Sequence, residues 1–179
     1  MSAGGINREG FAALVPLRDG HREGMRETLR ALAPGGDSPF ARLAGTHFAR
    51  LTLVAWPDRR RQELPDVPFC LFFAAEFDRP TGDYLEALCT TLSDQADTIF
   101  GGCIGYPGSA APAAFADWML EHQVPAGFSV HGNPGATADE VEASLDLRER
   151  IIAFALETRD LEPAALRQRW AEQNWGTPG

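Results

Sequence analysis

No run of apolar residues in this sequence approaches the roughly 20 that span a bilayer, and its first residues, MSAGGINREG, lack a basic start followed by an apolar stretch. A cytoplasmic protein with no membrane partner is the expectation. Cysteine is scarce and odd in number. Cys70, Cys89 and Cys103 show neither CxxC nor Cys/His ligand spacing, which argues against a disulfide framework and against a zinc site, so no metal ligand is assigned. Cys70 falls in an apolar strand and Cys89 on a helix, where both read as buried small hydrophobes. Cys103 alone sits where exposure is expected.

Basic charge is also in deficit. A formal net charge of -9 disfavours nucleic acid and anionic lipid as partners, because both require clustered cations to displace counterions. The run Arg59-Arg60-Arg61 is the exception, and its neighbours Pro57, Asp58, Glu63, Pro65 and Asp66 make it a solvated loop. Two catalytic signatures are missing as well. The glycine-rich stretch from Gly101 to Gly108 has neither GxxxxGKS/T nor the strand, GxGxxG, helix context, so it reads as a tight turn or a close backbone approach rather than a phosphate loop. There is no GxSxG elbow, and Ser129, His131 and the acidic residues do not assemble a hydrolase triad.

What is present is a length of 179 residues with 44% apolar and 23% charged content, enough for one domain with a real core. The expected domain covers residues 1–160, with a helical tail over 161–179. Residues 11–17 read as a first strand, and Met25, Leu29 and Leu32 give residues 22–33 an amphipathic helical period. The clearest strand is 45–56. Its period of two puts His47, Ala49, Leu51, Leu53 and Ala55 on one face and Phe48, Arg50, Thr52, Val54 and Trp56 on the other. Residues 68–78 alternate in the same way: Phe69, Leu71, Phe73, Ala75 and Phe77 against Cys70, Phe72, Ala74, Glu76 and Asp78. Each strand thus has one wholly apolar face and one mixed face.

A helix follows over 81–100 on the stripe Leu85, Leu88, Leu92, Ala96 and Ile99. Residues 112–123 form a short helix, and 124–132 read as a last strand with Ser129 and His131 on its open face. Thr137 and Glu140 form a capping box ahead of a helix whose core-facing stripe is Val141, Leu145, Ile152, Ala155 and Leu156. A terminal helix, 164–173, is pinned by Leu166 and Trp170.

The order strand, helix, strand, strand, helix, strand, with an added C-terminal helix, predicts an α+β ferredoxin-like βαββαβ sandwich: an antiparallel sheet with helices on one face. In this element order and in length the chain resembles the dimeric α+β barrel proteins. The resemblance implies a homodimer through the open sheet face and a cavity there. It also implies a choice of activities: cofactor-free monooxygenases and cyclases, isomerases, or haem proteins with a histidine ligand and a distal arginine. No stretch matches the GxxDG signature of dye-decolourising peroxidases.

The expected function is a small-molecule-binding enzyme that oxidises, isomerises or cyclises a largely apolar organic substrate on the mixed face. No cofactor is favoured, and haem is the alternative; a non-catalytic dimerisation module is the other. If the loop after Trp56 closes a hairpin, Arg50 lies near Ala74 with Glu76 one diagonal away. Arg50 would then bind a carboxylate or oxyanion, oriented by Glu76, or the two would form only a structural ion pair. His131 supplies a further polar group. His47, on the helix-facing side, reads first as an anchor bonded to backbone, with general base or iron ligand as its catalytic alternatives. Phe48, Thr52, Val54, Trp56, Phe72 and Ser129 would line the substrate pocket.

Overall fold

The strand richest in aromatic residues, Phe69–Phe77, lies in the middle of a three-stranded antiparallel sheet. The strands are β1 (Glu9–Pro16), β2 (Thr46–Ala55) and β3 (Phe69–Phe77), in the order β1-β3-β2. A computed structural model describes residues 8–55, 68–127, 135–173 and 175. Among them are six α-helices: α1 (Arg22–Ala31), α2 (Thr81–Thr91), α3 (Ser93–Phe100), α4 (Pro112–Glu121), α5 (Ala138–Thr158) and α6 (Pro163–Glu172). The chain divides into two compact units, Met1–Gly135 and Ala136–Gly179.

In the first unit the period of two does the sorting that the sequence predicts. Leu71, Phe73, Ala75 and Phe77 of β3 and Phe11, Ala13 and Val15 of β1 are buried on one face, and all the buried residues of α1 to α4 join them in one core. The Phe73 ring meets Phe11, Phe40 and Phe100 at centroid distances of 6.1 to 6.3 Å, and Phe77 stacks on Tyr84 at 3.8 Å. Rings packed in these geometries add to the burial of their area. β2, at the sheet's edge, buries less of each side chain.

Three expectations need correction. The helix over 81–100 is two helices, because Leu92 leaves the helical region (φ -117, ψ 38) between α2 and α3 while remaining buried itself. The fourth strand over 124–132 is not formed in its described part, residues 124–127; residues 128–134 lie outside the described residues, as do 56–67 with the Arg59-Arg60-Arg61 run. What lies beside β1 there is one antiparallel bridge, Ala13 with Gln123, flanked by hydrogen bonds from Leu14 N to His122 O and from Val124 N to Ala12 O. Together with Ile104 N to Pro16 O and Arg18 N to Gly102 O, these bonds occupy the outer edge of β1.

The third correction concerns the second unit. α5 opens at the predicted capping box, Thr137 Oγ1 accepting from Glu140 N and Glu140 Oε2 accepting from Thr137 N. Yet the stripe expected to face a core is in water beyond Val141, which is half-buried: Leu145 is 47%, Ile152 50% and Leu156 65% exposed, and Ala155 is exposed with them. The residues α5 buries are Ala138, Phe154 and Thr158. Phe154 meets the rings of Trp170 and Trp175 at 5.4 and 5.3 Å. Aromatic area outweighs aliphatic area in choosing the inward face.

The glycine-rich connection between α3 and α4 is held by close approach, as expected of it. Gly105 adopts φ +75, and a Cβ there would stand 3.1 Å from Trp118 Nε1, which donates to Ile104 O at 3.1 Å. Replacing Gly105 by alanine is expected to cost about 1–2 kcal/mol from the left-handed backbone alone, with a further loss where Trp118 must move. Chemical denaturation of Gly105→Ala should show this as a lower midpoint at an unchanged slope, and an unchanged midpoint would contradict it.

Candidate functional site

The register of the sheet lays out the mixed face in rows. Across β3, Glu76 stands between Gly10 and Phe48, Ala74 between Ala12 and Arg50, Phe72 between Leu14 and Thr52, and Cys70 between Pro16 and Val54. Arg50 therefore sits opposite Ala74 with Glu76 one step along, the register counted from the hairpin. Arg50 is exposed and donates from Nε to Thr52 Oγ1 at 3.2 Å. Phe48 is exposed, whereas Thr52, Val54, Phe72 and Glu76 are half-buried. Trp56, Ser129 and His131 lie outside the described residues.

His47 is where the period of two fails. Thr46 pairs with Phe77 and Phe48 with Glu76, so the ladder carries a bulge there and His47 has no residue opposite it. One extra residue turns the side chain after it back to the face it would otherwise leave. Thr46 keeps the helix-facing side, where its hydroxyl donates to Leu43 O at 2.7 Å and lies 3.3 Å from Tyr84 Oη. His47 and Phe48 both follow on the other. The assignment of His47 to the helix-facing side is thereby overturned: it shares the open face with Arg50. From Phe48 to Arg50 the strand advances about 7 Å.

There His47 meets two residues that sequence reasoning did not bring to it. Its Nε2 lies 2.7 Å from Asp78 Oδ1 and 2.8 Å from an Arg8 terminal nitrogen, and Arg8 Nε is 3.5 Å from the same Asp78 oxygen. All three side chains are largely buried. Arg8 and Asp78 extend β1 and β3 by one residue each, so alternation from Phe11 and Phe77 places both on the open side. The aspartate is fixed from below, its amide donating to Gly45 O at 3.0 Å. Next to them Glu9 Oε2 accepts from Thr81 N and Thr81 Oγ1, which ties the start of α2 to β1. The only sequence signal for this cluster was the charge at each strand's end, which resembles any solvated loop.

Nε2 cannot serve both neighbours: with a proton it donates to Asp78 at 2.7 Å, and without one it accepts from Arg8 at 2.8 Å. In the tautomer that donates to Asp78 the basic nitrogen is Nδ1, which takes no hydrogen bond among the described residues. This is the arrangement in which a carboxylate fixes tautomer and ring orientation and stabilises the imidazolium that forms on proton uptake. It does not suit haem: Nε2 is held by Asp78, and Nδ1 stands next to Cβ, too hindered for an axial position under a macrocycle. No group of three His, Cys, Asp or Glu able to hold a metal ion occurs among the described residues.

The cysteines and the glycine-rich turn carry no such chemistry. Cys103, expected to be exposed, is fully buried, as are Cys70 and Cys89. Burial pushes the Cys70 thiol up to about 11 and the Cys103 thiol up to about 12, and raises that of Cys89. Burial, and then Asp97 beside it, likewise push the Tyr106 phenol up. Asp97 holds the turn closed, accepting from Ser109 Oγ at 2.7 Å, Tyr106 Oη at 2.8 Å and Ser109 N at 3.0 Å. The hydrogen bonds from Ser109 and Tyr106 keep its carboxyl below the ordinary 3.8.

A thiol-reactive disulfide reagent should leave all three cysteines of the folded protein untouched while it titrates all three in denaturant. A fast-reacting thiol in the native protein would contradict their burial. Because Asp97 is more acidic folded than unfolded, its contribution is complete above the unfolded value and is lost as pH falls through the folded one. The melting-temperature gap between wild type and Asp97→Asn is therefore expected at about pH 6 and should shrink at about pH 2.5; an equal gap at both would refute the clamp. No family model matches the chain, and no curated protein or solved structure matches it.

Proposed function

We propose that this chain is an enzyme that isomerises or cyclises a largely apolar organic substrate by proton transfer on the open sheet face. The observation that carries the reading is the 2.7 Å contact of His47 with Asp78 on the face that also presents Arg50. In this reading neutral His47 removes a proton next to a carbonyl through Nδ1, and Asp78 stabilises the resulting imidazolium. Arg50 receives the developing oxyanion, its charge aimed at the oxygen where negative charge collects. His47 then returns the proton to another carbon, or the enolate carbon adds to a second carbonyl of the same substrate, whose C=O π bond opens and whose oxygen takes the proton from His47. Arg8 holds Asp78 in place. The apolar rims, Phe48 and Phe72, cover the substrate and exclude water.

The scaffold for this is, we infer, the ferredoxin-like βαββαβ arrangement. Its support is the β1-β3-β2 order, the crossover from β1 to β2 through α1, the packing of the helices on one face, and the Ala13 to Gln123 bridge on the edge of β1 where a fourth strand would lie.

The test needs no known substrate. A panel of hydrophobic ketones and keto acids in deuterated water is followed by NMR for exchange at the carbon next to the carbonyl. Wild-type protein is expected to accelerate exchange for part of the panel, and His47→Gln to lose about 10²–10⁴-fold of that rate. Asp78→Asn should fall between the two. Arg50→Ala should slow exchange by a further factor of about 10² with circular dichroism unchanged. Exchange that survives His47→Gln at the wild-type rate sinks the assignment of the base, and a panel with no accelerated member sinks the reaction class.

A further inference from the structure

α5 has two apolar faces, and beyond its first turn only one of them is covered. At about 100° per residue, Leu145, Ile152 and Leu156 lie on the side of the helix roughly opposite Phe154 and Thr158, two of the three residues it buries; the third, Ala138, stands at the helix start on the stripe's own side. An apolar stripe left in water on a well-formed helix marks a docking surface. The flanks of the stripe say what docks.

Going round the helix from the stripe in one direction come Glu149, Glu142 and Asp146. In the other come Arg148 and, just past the helix end, Arg159. Two copies of the helix laid side by side in parallel, related by a twofold axis along their length, set the acidic flank of each against the basic flank of the other. An antiparallel pair sets acid against acid. In the parallel case Arg148 of one copy is within about 1.5 Å of Glu149 and about 3 Å of Asp146 of the second copy, measured as rise along the axis. Arg159 contacts Asp160 at 3.1 Å with both side chains exposed, an ion pair weak enough to rearrange.

We propose that two copies of this chain pair through this face of α5, the helices parallel, with Leu145, Ile152 and Leu156 each meeting its own counterpart. The apolar stripe supplies the affinity, and the opposite flanks select the orientation.

Sedimentation velocity on the full chain from about 1 to about 300 µM should show a concentration-dependent dimer. The double substitution Leu145→Lys with Leu156→Lys, at positions already in water, should raise the dissociation constant at least about 30-fold without changing the circular dichroism. Arg148→Glu should raise it about ten-fold, and adding Glu149→Arg should restore it. Ile152→Cys, oxidised, should give a disulfide-linked dimer with itself, because a parallel twofold places residue 152 against residue 152. A monomer at every concentration overturns the proposal. So does a dimer indifferent to the two lysines, and a dimer in which Ile152→Cys does not cross-link overturns the parallel arrangement.

Discussion

Both hydrogen-bonded ladders of the sheet run through β3, and nothing else in the first unit could stand without it. Its backbone groups are committed on either side, to β1 and to β2, and its side chains supply the core on one face and the rows of the open face on the other. Because a strand paired on both edges has no freedom to slip, the register is fixed for its neighbours too. That is how His47 comes to touch Arg8 and Asp78, which are 39 and 31 residues away in the chain.

Much of this arrangement is legible in the sequence alone. The alternation along 71–78 separates buried from half-buried residues correctly, and counting back from the hairpin puts Arg50 opposite Ala74, because both depend on a period of two that burial enforces. The capping box of α5 is equally local, two side chains and two amides within one turn. What escaped was long-range or conditional. A bulge needs only one extra residue and leaves no composition signal, so His47 was placed on the wrong face. Arg8 and Asp78 meet it only because β1 pairs with β3, which no local pattern announces.

The case of α5 is different in kind. Its sequence carries two apolar faces, one aliphatic and one built on Phe154, and periodicity reports both without ranking them. The ranking depends on partners outside the helix: Trp170 and Trp175 claim the Phe154 side. Cys103 illustrates the opposite error. Its place in a turn suggested exposure, but the same glycines that let the loop lie close against its neighbours bury the thiol, and Gly102 and Gly105 do lie close, against His21 and Trp118.

The bulge at His47 has one more consequence. A residue with no counterpart across the ladder contributes nothing to the apolar core. What constrains position 47 is polar instead: its ring lies against two largely buried charged side chains, Arg8 and Asp78, so a side chain there that cannot hydrogen-bond removes a contact from each of them.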